Sequence, residues 1–285
     1  MKPTEQLSVI TDEIGQDIEE ILPTLGKYEI SAVELRTIWS KNIINFSDDE
    51  LQKLKAVLDE NKIKVSNIAG PIFKCVVPWS RLHGIFSKKF DFNVELSRQN
   101  LEREIEIAKI LDSSRIRTFG YLGKAKVTED QWNTLVHDLT KFVDLAKQEK
   151  ITVVLENEMM SPIRDMESTK RILNDIDDPY FKLILDPGNY YFAGEIHEFD
   201  FYDEILDRVG HHHIKDAKKT LGIKHFTVVG EGVLNYAEYF KYWTKKNYKG
   251  YYSLETHILT KQRERSYQCL DNMYEMLKKC NDLVD

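Results

Sequence analysis

Short apolar runs alternate along the chain with longer segments whose apolar residues recur three and four positions apart. The first pattern predicts parallel strands, buried on both faces and so apolar throughout. The second predicts amphipathic helices with one buried stripe. Strands are expected over Leu7–Thr11, Ala32–Arg36, Lys64–Ile68, Arg115–Phe119, Ile151–Glu156, Phe181–Asp186, Val209–His213 and Tyr251–Leu254. Helical spacing falls between them, at Asp17–Tyr28, Leu51–Leu58, Val94–Leu111, Trp132–Ala146, Ser168–Ile176, Phe201–Arg208 and Tyr236–Trp243. It returns in a last helix carrying Leu270, Met273, Tyr274 and Leu277. Ser47 with Glu50, and Thr128 with Gln131, have the spacing of capping boxes. Pro23 is expected to shorten or kink the first helix. Only Pro71–Phe90 lacks a period. It holds Phe73, Trp79, Phe86, Lys74 and Lys88, and reads either as a lid or as an aromatic loop closing one rim.

Eight strand–helix alternations count out an α/β fold, a (β/α)8 TIM barrel occupying residues 1–285 as a single domain. A doubly wound open sheet with a dinucleotide site would need a glycine-rich turn after the first strand. That turn, Asp12–Gln16, has a single glycine. In a barrel the active site lies where the strands end, so the residues that terminate the strands become the candidates for chemistry.

The bulk composition narrows the class of function. The chain has 285 residues, 42% of them hydrophobic, enough for a large core, and a net charge of −7, which gives no general field for nucleic acid. Its three cysteines, Cys75, Cys269 and Cys280, are too widely spaced for a zinc knuckle or a disulfide framework, and read as buried thiols. No apolar leader or membrane-spanning run is visible, so a cytoplasmic location is expected, with no membrane partner.

Four successive strands end in a metal-ligand type of side chain. Val153-Val-Leu is followed by Glu156, Phe181–Leu185 by Asp186, Val209–His212 by His213, and Tyr251–Leu254 by Glu255. Singly, each has an ordinary explanation: a solvated acid, a turn former before Pro187-Gly188, a core histidine. Together, in a closed barrel, they converge on one patch. Three carboxylates in a low-dielectric pocket require a counter-charge, and a divalent cation supplies it. Three oxygens and one imidazole nitrogen suit Mn²⁺, Mg²⁺ or Co²⁺, and tolerate Zn²⁺.

Around this set, alternation places Lys215 on the His213 side and leaves His212 facing the helices. Lys215 and the loop residues Lys218 and Lys219 can hold a phosphate or a sugar hydroxyl, or be solvated. Asn189 can reach a substrate oxygen. Glu158 shares the parity of Glu156. Glu34 and Arg36 on strand two read as an internal ion pair.

These motifs resemble the xylose isomerase-like TIM barrels, and within them the sugar phosphate isomerase/epimerase group of ketose 3-epimerases, hydroxypyruvate isomerase and inosose dehydratase. The resemblance runs through Val153-Val-Leu-Glu156-Asn-Glu158, Leu185-Asp186-Pro-Gly-Asn189, Gly210-His-His-His213-Ile-Lys215-Asp216, Gly230-Glu-Gly232 and Leu254-Glu255. It implies that Glu156, Asp186, His213 and Glu255 bind one divalent metal, and that Glu156 and Glu255 also act as acid and base on opposite faces of a sugar. It implies substrate contacts from Asn189, Lys215, Lys219 and Glu158. Many epimerases carry histidine at the position of Asn189 and arginine at that of Lys219, and a strand-three histidine of several relatives is absent here, with Asn67 nearby.

The expected reaction is isomerisation or epimerisation of a small sugar, sugar phosphate or polyol derivative through a metal-stabilised enediolate. A dehydratase or lyase on a keto-sugar or inosose would use the same site. An endonuclease IV-like repair enzyme shares the barrel but needs three zinc ions and many more ligands; the chain has eight histidines. Association into a homo-oligomer is compatible with the resemblance.

Overall fold

The computed structural model describes residues 1–76, 94–123, 126–196 and 199–283. Eight parallel strands form the barrel: β1 (Leu7–Val9), β2 (Ala32–Leu35), β3 (Lys64–Ile68), β4 (Arg115–Thr118), β5 (Thr152–Glu156), β6 (Phe181–Leu185), β7 (Val209–Ile214) and β8 (Tyr252–Leu254). From β2 to β8 each strand pairs with the next in sequence, and β8 pairs with β1. A lone parallel bridge between Ile10 and Glu34 sets β1 beside β2, so the barrel is nearly closed.

Helices cover the outside because their apolar stripes fit the outward-facing strand residues. Helix α1 (Ile18–Lys27) turns Ile18, Ile21 and Leu25 inward and continues past Pro23 rather than stopping there. Proline so near a helix start removes a single backbone bond, which this buried stripe outweighs. Helix α2 (Asp48–Glu60) opens with the Ser47–Glu50 capping box. Then come α3 (Leu101–Ile110) and α4 (Glu129–Ala146), the latter capped by Thr128 and Gln131. Burial of Trp132, Leu135, Leu139 and Phe142 on α4 stabilises its seat by about 1.5–3 kcal/mol per side chain. Helix α5 spans Met166–Asp175, α6 Pro187–Ala193, α7 Tyr236–Lys245 and α8 Gln262–Cys280. All three cysteines are buried free thiols.

His212 faces outward as alternation requires. Its Nδ1 meets Tyr239 Oη at 2.6 Å, and its ring packs among Trp243, Tyr248 and Tyr252. The barrel interior is polar around mid-height: Ser8 Oγ meets Ser66 Oγ at 3.1 Å, and His211 Nε2 meets Ser253 Oγ at 2.8 Å.

Two elements were not legible in the pattern. Asp186 caps α6 by accepting from Asn189 N at 3.0 Å, and Pro187 supplies the first helical residue. The segment expected as a loop after β7 is a hairpin, Asp216–Thr220 paired with Ile223–Thr227. It is anchored by Asp216, whose Oδ2 accepts from Gly230 N and Gly232 N at 2.9 Å each. A side chain at Gly232 would strike Asp216 Oδ1 at 1.9 Å. The aperiodic stretch Pro71–Phe90 is described only as far as Val76, so its reading as a lid lies outside the described residues. Among the described residues, no helix is long and apolar enough to cross a membrane.

Candidate active site and metal centre

The strand ends of β5 to β8 deliver four side chains to one point. Glu156 is the last residue of β5, Asp186 follows β6, His213 lies near the end of β7 and Glu255 follows β8. One ligand atom of each lies within 4.8 Å of the others, and all four residues are buried. Backbone contacts fix this spacing. Asn157 clamps Asp186, donating from Nδ2 to its carbonyl at 2.9 Å and accepting from its N–H at 2.8 Å. Gly188 lets β7 approach: a Cβ there would meet Lys215 Cγ at 2.6 Å and Lys215 O at 2.7 Å.

Three cationic side chains balance the acids. Lys215 Nζ lies 2.7 Å from Glu255 Oε2, 2.8 Å from Asp186 Oδ2 and 3.8 Å from Glu156 Oε1. Arg117 Nη1 reaches Glu156 Oε2 at 3.2 Å, and Arg36 Nη1 reaches Glu255 Oε1 at 2.8 Å. Each glutamate therefore has its own arginine. Burial disfavours the Glu156 carboxylate, but His213 and Lys215 outweigh it and bring its pKa down to about 2. Glu255 is likewise held well below the carboxylate range, burial being overcome by Lys215, His257 and His213. Asp186 differs: burial pushes it up to about 7, only partly opposed by Lys215. The Lys215 ammonium is retained because Asp186, Glu255 and Glu156 outweigh its own burial.

The donor set fits a divalent cation. His213 Nδ1 is buried without a hydrogen-bond partner, 3.4 Å from both Glu156 Oε1 and Glu255 Oε2. A buried nitrogen facing three carboxylates, with no partner of its own, is the signature of a mixed N/O ligand set.

The other sequence-predicted residues fall in two groups. Asn189 and Glu158 flank the cluster. Asn189 Nδ2 contacts Glu156 Oε1 at 3.3 Å and Asn157 O at 2.8 Å, leaving Oδ1 buried and unpaired. Glu158 is half-buried beside Glu156, which together with burial raises its pKa. Lys215, expected as a substrate contact, stands inside the carboxylate cluster itself. Lys219 is exposed on the hairpin, opposite Lys224, and is not brought to the cluster. The expected Glu34–Arg36 pair is corrected. Arg36 pairs with Asp12, Glu13 and Glu255, whereas Glu34 pairs with His211 and His213. Strand alternation puts both side chains inside, at different heights, and each finds a nearer partner.

Sequence reasoning missed Arg117, Lys74 and His257. Arg117 is a fully buried arginine one residue from the end of β4 (Arg115–Thr118), and alternation with Ile116 was its one signal. Lys74 Nζ lies over the Phe119 ring at 4.6 Å. Its pKa is lowered by burial and by Arg117. His257 Nδ1 lies 3.5 Å from Glu255 Oε1. Glu255 pulls its pKa up, but burial and the cations Lys215, Arg36 and Lys74 prevail and bring it to about 4.

Comparison with known proteins agrees with this fold. The profile of the family described as "Xylose isomerase-like TIM barrel" matches residues 25–274. An inosose dehydratase of Clostridium botulinum is 22% identical over 254 residues, covering 82% of this chain and 84% of that protein. Among solved structures, the IOLI protein with a binding zinc atom superposes with a TM-score of 0.77 at 14% identity, covering 96% of this chain and 98% of that one. The 3-keto-D-glucoside 4-epimerase YcjR from E. coli superposes with a TM-score of 0.73 at 15% identity, covering 96% and 98%.

Proposed function

This chain belongs to the xylose isomerase-like TIM barrel family, and on that premise we propose that it is a metal-dependent isomerase or epimerase of a small sugar, sugar phosphate or polyol derivative. The observation that carries the reading is the convergence of Glu156, Asp186, His213 and Glu255 within 4.8 Å at the mouth of the barrel. Those four residues would hold one divalent cation, with Mn²⁺ the first choice for this oxygen-rich set. A cation there supplies Lewis acidity, which acidifies the carbon between a carbonyl and its neighbouring hydroxyl.

The chain's own residues do the rest. Glu156 and Glu255 are both ionised in the fold, so either can accept a proton. Arg117 and Arg36 fix their orientation, and the scheme has the two carboxylates act from opposite sides of the substrate. One glutamate removes the proton, giving an enediolate, and the other returns it. Return to the same carbon from the opposite side inverts it; return to the neighbouring carbon interconverts aldose and ketose. Asn189, with its free Oδ1, and Glu158 are positioned to bind substrate hydroxyls. Positioned acid–base groups of this kind contribute roughly 10²–10⁴-fold each.

A second reading, dehydration of a keto-sugar or inosose, is favoured by the inosose dehydratase relatives. It begins with the same proton removal and ends with loss of the hydroxyl one carbon further on. One experiment tests both. The metal-loaded protein is incubated in D₂O with a panel of ketoses, aldoses and inososes and followed by NMR. Deuterium at the carbon beside the carbonyl with an inverted or isomerised product supports the first reading. An unsaturated product supports the second, and absence of exchange across the panel overturns both.

A further inference from the structure

Below the metal ligands lies a second buried cluster that the proposed chemistry does not use. Glu34 on β2 is fully buried, and its oxygens face donors from two other strands. Oε1 accepts from Asn67 Nδ2 at 2.8 Å and from His213 Nε2 at 3.0 Å; Oε2 accepts from His211 Nε2 at 2.9 Å. His211 Nε2 also lies 2.8 Å from Ser253 Oγ. A carboxylate only accepts hydrogen bonds. The ring nitrogen of His213 that faces Glu34 must therefore carry the proton. The other nitrogen, Nδ1, is left to point at Glu156 and Glu255, where it has no hydrogen-bond partner.

We infer that Glu34 is the positioning residue of this metal centre: it locks His213 as the Nε2–H tautomer with Nδ1 aimed at the cation. Asn67 and His211 hold Glu34 in place for that purpose. The inference rests on the metal-binding reading of the cluster above. Glu34, His211 and His213 also fall close enough together to suggest a second cation. Their contacts argue against it. Separations of 2.9–3.0 Å between imidazole nitrogen and carboxylate oxygen are hydrogen-bond lengths, and Glu34 Oε1 already accepts from Asn67 Nδ2 at 2.8 Å as well. Glu34 lies close to no lysine or arginine in the contacts described. His213 is the partner through which its charge reaches the metal site, raising the donor strength of Nδ1.

The test is a Co²⁺ titration of chelator-stripped, full-length protein, followed by calorimetry and by the visible ligand-field bands. Wild type is expected to take up one equivalent. Glu34→Gln, nearly isosteric but unable to accept strongly from both imidazoles, is expected to bind about 10–100-fold more weakly, with altered bands. Ser8→Ala, in the same polar interior but remote from His213 in its contacts, is expected to leave both unchanged. Unchanged affinity and bands in Glu34→Gln would overturn the positioning role alone. A second equivalent in wild type, lost in Glu34→Gln, would make the lower cluster a metal site and also overturn it. No uptake by wild type would remove the metal centre together with the inference. An independent readout uses no variant: long-range ¹H–¹⁵N spectra of the zinc-loaded wild type are expected to show His213 protonated at Nε2, and the opposite tautomer would refute the assignment.

Discussion

Replacing Lys215 with methionine removes the ammonium group from the centre of the acid cluster while keeping an unbranched stem of nearly the same length. Lys215 is in contact with Asp186 and Glu255 at 2.8 and 2.7 Å, and with Glu156 at 3.8 Å, and it is 2% exposed. Breaking a buried pair by removing one partner typically costs about 3–5 kcal/mol, because the other charge stays buried and unbalanced. Asp186 limits the cost by taking up a proton, since burial has already raised its pKa to about 7. For a chain of this size a midpoint falls by about 2 °C per kcal/mol. Metal-free Lys215→Met is therefore expected to melt roughly 6–10 °C below wild type near neutral pH. A divalent cation replaces the lost charge, so the gain in midpoint on adding Mn²⁺ or Zn²⁺ should be larger in the variant than in wild type, as linkage requires. Differential scanning fluorimetry of chelated and metal-loaded samples reads both quantities. If the chelated variant melts with wild type and gains no more from metal, Lys215 is not balancing the cluster and the electrostatic account is wrong.

Three further expectations follow from the same geometry. Glu156→Gln and Glu255→Gln should each abolish solvent-proton exchange into substrate while retaining most of the bound metal, checked by NMR and elemental analysis on one preparation; full activity in either would defeat the two-glutamate scheme. Asp186→Ala and His213→Ala should lower metal content measured after dialysis, and full occupancy in both would remove them from the ligand set. Glu104 on α3 is fully buried against Gly70, and burial raises its pKa well above the ordinary 4.5, only partly opposed by Arg117 and the Gly70 backbone. The native state thus keeps a proton that the unfolded chain releases above 4.5, so this contribution is complete below that pH and is lost as the pH rises. Glu104→Gln should accordingly gain in midpoint over wild type between about pH 5 and pH 8, and a constant difference across that range would contradict the assignment.

The site was legible where the polypeptide itself carries the information. A strand buried on both faces stays apolar until it leaves the sheet, so the first charged residue after Val153-Val-Leu or Leu183-Ile-Leu185 marks the end of a strand. In a barrel, consecutive ends are neighbours. Capping was legible for a similar reason: Ser47–Glu50 and Thr128–Gln131 act within one turn. What escaped were relations across the interior. A register shift between Val33 and Glu34 sets Asn67, rather than Ser66, opposite Glu34, and no local pattern announces such a bulge. The partners of Glu34 are 177 and 179 residues away in the chain. Lys215 had the right parity, but whether its ammonium meets substrate or ligands depends on how closely β6 and β7 approach. The hairpin after β7 escaped because its turn places Leu221 at φ 50° before Gly222 at φ 86°, and leucine seldom adopts that conformation.

The close approach at Gly188 has a consequence for how this protein can diverge. At Gly188 the backbone lies directly against the Lys215 carbonyl and the root of the Lys215 side chain, with no room for a Cβ between them. A substitution at 188 would push the two strand ends apart and open the cation seat from below. The hairpin and the segments beyond β5 and β8 hang outside that contact. Selection can therefore rebuild the rim for a different ligand while the floor that gathers the four clustered side chains stays the same.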